Sequence, residues 1–150
     1  MAEVRYTEEA VVEAPLEDVY DYRLDYEHTL PEYNPNVSNI HRTDGRTELG
    51  VGAEYAFDVE IPGMGQMQST LTVMEAVAPS RIVNRMGSGM FEATETCSFE
   101  RVEDGTRVQF EVTVSFPEEM AAVAELAERS GRDQVRLELD LMRKQLEGGS

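Results

Sequence analysis

The stretch Arg107-Val108-Gln109-Phe110-Glu111-Val112-Thr113-Val114-Ser115-Phe116 decides the fold class. Val108, Phe110, Val112, Val114 and Phe116 fall on one side of an extended chain, and Arg107, Gln109, Glu111, Thr113 and Ser115 on the other. Strict period-two alternation is the mark of a strand in a sheet with one dry and one wet face. Immediately upstream, Asp104-Gly105 signals a tight hairpin turn, joining this strand to a second one over 91–102. With Asp104 and Gly105 as the two turn residues, Phe99 opposes Phe110, Cys97 opposes Val112 and Glu95 opposes Val114.

Working outward, further strands are expected near 37–44, 52–61, 66–77 and 81–87, in a meander. The second of these alternates Tyr55, Phe57 and Val59 against Glu54, Asp58 and Glu60. Residues 3–13 form an additional strand that Ala14-Pro15 ends. Pro15 suits the start of a helix, Glu17 and Asp18 suit its positive end, and Leu16, Val19, Tyr20 and Leu24 recur at helical spacing. Asp25 is placed to cap a second short helix carrying Tyr26, Leu30 and Tyr33, stopped by Asn34-Pro35-Asn36. Residues 118–129 suit a short leading helix and Ser130-Gly131 a break. From 132 to 147, Val135, Leu139, Met142 and Leu146 make a helical stripe, widened by Leu137 and Leu141. This predicts one α+β domain over 1–147, with a curved antiparallel sheet of about seven strands around a long C-terminal helix and a frayed tail at 148–150.

Composition narrows the function. The 150 residues carry a formal charge of −17, and Lys144 is the only lysine. Such a field repels phosphate backbones and anionic lipid surfaces, so neither nucleic acid nor membrane insertion is expected. No apolar run reaches the length of a bilayer span, and the polar N-terminus lacks a signal-peptide core, which suggests a cytoplasmic protein, monomeric or homodimeric. Cys97 is the single cysteine, and His28 and His41 are too few and scattered for a metal site; neither metal nor cofactor is expected.

The stretches Val12-Glu13-Ala14-Pro15-Leu16-Glu17-Asp18-Val19-Tyr20, Tyr33-Asn34-Pro35-Asn36-Val37, Gly50-Val51-Gly52, Ala78-Pro79-Ser80-Arg81-Ile82-Val83 and Phe99 through Val108 carry a resemblance over nearly the whole chain. With the order of elements, the sequence resembles the helix-grip superfamily: birch-pollen-allergen-like, START-related (SRPBCC), and polyketide cyclase/dehydrase and lipid-transport proteins. The resemblance implies an apolar cavity between sheet and helix that takes a lipid, steroid or polyketide-like compound. Some members are aromatase/cyclases. This chain has Leu30-Pro31-Glu32-Tyr33 where cyclases tend to carry a tryptophan-proline element, and it has no tryptophan. One fold hosts many functions, so activity has to be argued from the site.

Three features bear on chemistry. Alternation in 91–102 puts Glu95 on the apolar face with Phe91, Ala93, Cys97 and Phe99. A carboxyl there is desolvated, which favours its neutral form and suits it to act as an acid or base, or to hold a ligand. A bulge returning it to solvent, or a structural pair with an arginine such as Arg85, would remove that role. Second, alternate hairpin loops share one end of the sheet, so Met64, Met67, Met86, Met90 and Met120 gather into an adaptable rim, with Met64, Met90 and Met120 at the mouth. Third, the expected wall comprises Tyr55, Phe57, Met67, Leu71, Met86, Cys97, Phe110, Val112, Leu139 and Met142. The reading is a binding module for a small hydrophobic molecule; the alternative is a cyclase or dehydratase with Glu95 as general acid/base.

Overall fold

A computed structural model describes residues 2–61, 65–89 and 91–148. Strand β1 (Ala2–Val12) leads into helices α1 (Leu16–Leu24) and α2 (Tyr26–Tyr33). Six strands follow: β2 (Val37–Arg42), β3 (Glu54–Ile61), β4 (Gly65–Val77), β5 (Arg81–Ser88), β6 (Phe91–Val102) and β7 (Gly105–Phe116). A 3₁₀ turn, Glu118–Val123, then enters the long helix α3 (Ala124–Gly148). All neighbours in the sheet are antiparallel, in the order β1-β7-β6-β5-β4-β3-β2. This is the helix-grip architecture expected from the sequence: a curved seven-stranded sheet closed by a long C-terminal helix.

The alternating strands explain where the core lies. Tyr6, Tyr55, Leu71, Val73, Ile82, Cys97, Phe99, Val108 and Phe110 face inward, and Val135, Leu139 and Met142 of α3 complete one cluster with them. Tyr20 of α1 meets Phe99 edge to face, with centroids 5.6 Å apart, and Tyr26 of α2 meets Tyr55 likewise at 5.7 Å. Such pairs are worth about 1 kcal/mol beyond their buried area. They fix the two short helices against the end of the sheet at which the α1–α2 corner sits. Among the described residues, no helix is long and apolar enough to cross a membrane.

Five details differ from the sequence reading. First, Gly105 pairs with Val102, so Glu103 and Asp104 are the turn residues. Phe99 therefore opposes Val108, Cys97 opposes Phe110, and Glu95 opposes Val112. Gly105 takes this place in the ladder with a φ of +146°, and a Cβ there would run into the carbonyl oxygen of Val12, so the position requires glycine. The register moves by two residues, which leaves every side chain on its expected face. Second, α3 passes through Ser130-Gly131 without a break and takes in the second half of the expected leading helix, the first half being the 3₁₀ turn. Gly131 is a close-approach site: a Cβ would collide with the Tyr6 ring and hydroxyl. Third, Leu137 is exposed, while Glu138 is buried in the stripe instead. Fourth, Asp25 stands at the N-cap of α2 without a side-chain capping bond; its carboxylate meets His28 Nδ1 at 2.9 Å. Fifth, Gly148, assigned to the tail, ends α3, and 149–150 lie outside the described residues.

Candidate functional site: a buried charge cluster beside an apolar cavity

One row of inward-facing residues crosses the sheet in register: Val73, Asn84, Glu95, Val112 and Tyr6. β6 pairs without a bulge on both sides, so Glu95 remains on the concave face, 5% exposed. Its partner comes from α1. Arg23 follows Val19 by four residues and Tyr20 by three, which puts it on the buried side of that helix. Arg23 Nη2 donates to Glu95 Oε1 at 2.7 Å, and the guanidinium is 2% exposed. Asn84 Nδ2 donates to the same carboxylate oxygen at 3.3 Å, and Cys97 Sγ at 3.5 Å. Asn84 also donates to the Tyr26 hydroxyl. The guanidinium lies over three rings, 4.5 Å from the centroid of Phe110, 4.6 Å from Tyr33 and 5.4 Å from Tyr26. Arg85, the arginine considered from sequence, points outward and pairs with Glu92 at 3.1 Å.

A second carboxylate joins from α3. Glu138 Oε1 lies 3.6 Å from Arg23 Nη1, and Glu138 is 8% exposed. One buried cation thus faces two buried carboxyls. Burial pushes the Glu138 carboxyl up to about 7; Arg23 opposes that shift and the negative charge of Glu95 adds to it. Burial likewise pushes the Tyr26 and Tyr33 hydroxyls and the Cys97 thiol well up. Cys97 is therefore a packed, unreactive thiol at neutral pH.

The open space lies one step from this cluster. A cavity of about 580 Å³ sits between the ends of β3, β6 and β7 and the first half of α3. Val59, Phe91, Val114, Met120, Val123, Leu126 and Ala127 give it apolar walls. Its polar edge is Asn34 and Asn36 after α2, with Gln134 of α3 across from them; Glu60 and Ser130 also border it. The edge is wired to the cluster. Asn34 Nδ2 and Gln134 Nε2 both donate to Glu138 Oε2, at 3.2 and 3.3 Å, and Asn36 Nδ2 donates to Gln134 Oε1 at 3.4 Å.

The residues assigned to a pocket wall divide accordingly. Tyr55, Phe57, Leu71, Cys97, Phe110, Val112, Leu139 and Met142 are buried against one another in the core, and none borders the cavity. Met67 is half-buried, and Met86 borders a separate depression of about 220 Å³ with Thr70, Thr72 and Arg85. Met120 lines the cavity at the end expected for the mouth. Met64 and Met90 lie outside the described residues. His41 is exposed on β2, its Nδ1 3.0 Å from the Asn39 carbonyl oxygen.

Arg23, Glu138, Asn34 and Gln134 were not singled out from sequence. For the two charged residues a signal was present. Val135, Glu138 and Met142 are spaced i, i+3, i+7, and Val19 and Arg23 i, i+4, so each charge occupies an apolar position of its helix. Asn34 carried only a helix-stop signal.

A curved antiparallel sheet gripping a long C-terminal helix defines the helix-grip fold, here with a charged cluster under the helix and a void at one end. Comparison with known families agrees: residues 3–147 match the family described as polyketide cyclase / dehydrase and lipid transport. The chain belongs to that family. Among solved structures, it is similar to StfQ, a di-domain ARO/CYC from the steffimycin biosynthetic pathway, with TM-score 0.80 and 14% identity over 97% of this chain; it spans 51% of that protein. It is also similar to a protein from Thermus thermophilus, with TM-score 0.72 and 22% identity over 99% of both chains. Ara h 8.0201 aligns with TM-score 0.65 and 12% identity, over 94% of this chain and 99% of its own. At these identities the likeness is one of fold. A search of curated protein sequences gave no match.

Proposed function

We propose that this domain binds a small, largely apolar molecule in the cavity between the sheet and the first half of α3. The observation that carries the reading is the cavity itself, about 580 Å³ with mostly apolar walls, within the range of small-molecule sites. Removing apolar ligand surface from water contributes roughly 25 cal/mol per Å², before the costs of association are subtracted. Met120, with its flexible thioether, and the exposed Leu126 border the opening and suit ligands of varied shape. Binding is favoured over cyclase or dehydratase chemistry at Glu95 because that carboxylate is held by Arg23 at 2.7 Å and does not border the cavity. A general acid or base has to reach the proton it moves.

Fluorescence titration with the neutral probe N-phenyl-1-naphthylamine tests this. The expected result is saturable one-to-one enhancement. An Ala127→Trp change, which fills the space, should weaken binding at least tenfold without lowering the thermal midpoint by more than a few degrees. No enhancement with the parent, or enhancement indifferent to the filled cavity, contradicts the proposal.

A further inference from the structure

We propose that the ligand carries a hydroxyl at one end, read by the amide side chains of Asn34, Asn36 and Gln134, whose orientation Glu138 fixes. This rests on the cavity being the binding site.

The argument is one of donors and acceptors. Asn34 Nδ2 and Gln134 Nε2 both donate to Glu138 Oε2, at 3.2 and 3.3 Å. An ionised carboxylate only accepts, so both amides must turn their NH₂ groups toward it. Their carbonyl oxygens consequently face the Asn36 side. There the Asn36 backbone N–H donates to Asn34 Oδ1 at 3.1 Å and Asn36 Nδ2 donates to Gln134 Oε1 at 3.4 Å. A carbonyl oxygen has two lone pairs, and each of these bonds uses one. Each amide NH₂ also keeps a second N–H, so the polar edge of an otherwise apolar cavity offers acceptors and donors together. It complements an alcohol or phenol O–H, which both donates and accepts, better than an ether, which only accepts, or a carboxylate. The carboxylate is further disfavoured by Glu60 at the same cavity and by the net charge of −17.

Glu138 also makes the selectivity depend on pH. The groups facing it are Arg23 from α1, Tyr33 from α2, Glu95 from β6, Tyr6 from β1 and Gln134 from its own helix. Arg23 is held above its ordinary value by Glu95, and burial raises both tyrosines, so none of these three changes charge near neutrality. Glu138, raised to about 7, does. Once protonated it becomes a donor as well as an acceptor, and one amide is free to turn its NH₂ into the cavity. The advantage of a hydroxyl ligand then falls as the pH drops.

Isothermal titration calorimetry with 2-naphthol and 2-methoxynaphthalene, at pH 8 and pH 6, tests this. The two share an apolar body and differ in the O–H. The expected result is 2-naphthol tighter by about tenfold at pH 8, as one hydrogen bond allows, with the ratio shrinking several-fold at pH 6. Gln134→Met should bring the ratio near one at both pH values, chiefly by weakening 2-naphthol; Asn36→Leu is the second variant should Gln134→Met fold poorly. Glu138→Gln, which cannot titrate, should give the same ratio at both pH values. If the parent binds both compounds equally at pH 8, or if the preference survives both amide variants, the hydroxyl inference is overturned while the cavity reading stands. If the parent binds neither, the cavity reading falls and the hydroxyl inference falls with it.

Discussion

Arg23 is the residue on which the interior turns. It brings a full charge to a site 2% exposed and meets it with Glu95 at 2.7 Å and the faces of Tyr33 and Phe110. Breaking this buried pair leaves Arg23 only the more distant Glu138, at 3.6 Å, so Glu95→Gln should destabilise the fold by about 2–3 kcal/mol in urea unfolding, and the double change with Arg23→Met should recover part of that loss. Equal losses in single and double variants would mean the pair is not coupled. Glu138 supplies a pH dependence whose sign is fixed. Its folded value, about 7, lies above its ordinary 4.5, so the folded chain keeps a proton that the unfolded chain has released. The stability it contributes is full below the unfolded value and is lost as pH rises through about 7, on the order of 3 kcal/mol in all. Glu138→Gln should therefore gain stability over the parent as pH rises from 5 to 8, measured by denaturation at each pH; a constant difference would contradict this. Sequence alternation located Glu95 on the inner face because period two fixes a strand's sides. It could not name Arg23 as partner, since 72 residues separate the two and only the packing of α1 on the sheet joins them.

At the scale of the element, α3 shows where local signals mislead. Ser130-Gly131 reads as a break because glycine weakens a helix interior, yet the helix continues and the glycine serves the approach of Tyr6. Gly131→Ala, which in an exposed helix would stabilise by about 1 kcal/mol, should here destabilise by about 1–3 kcal/mol through overpacking. A raised thermal midpoint for Gly131→Ala would show that Tyr6 is free to move aside. The hairpin β6–β7 teaches the complementary lesson. Asp104-Gly105 signalled a turn at the right place, but the constraint on Gly105 comes from β1, at the far end of the chain, whose Val12 carbonyl oxygen lies where a Cβ would stand. Because the resulting shift is two residues, the facial assignments made from alternation survived it.

For the whole molecule, the layers and strand order were legible because seven alternating or β-prone runs and one amphipathic helix leave few ways to bury their faces. The position of the void was not. The residues expected to line it, Phe110, Leu139 and Met142 among them, fill the space beneath the second half of α3. Among the described residues, room between sheet and helix opens toward the other end, where Val114 and Phe91 are half-buried and Met120 and Ala127 stand across from them. Whether facing side chains interlock depends on helix placement to within an ångström or two, which periodicity does not encode. The two methionines mark the alternatives, since Met120 borders the cavity while Met142 is fully buried in the core. The most direct test is a methyl NMR spectrum of protein labelled at the methionine methyls, recorded during titration with N-phenyl-1-naphthylamine. The account predicts a large, saturable shift of the Met120 methyl with that of Met142 nearly unmoved; a shift led by Met142, or none at either, would contradict it.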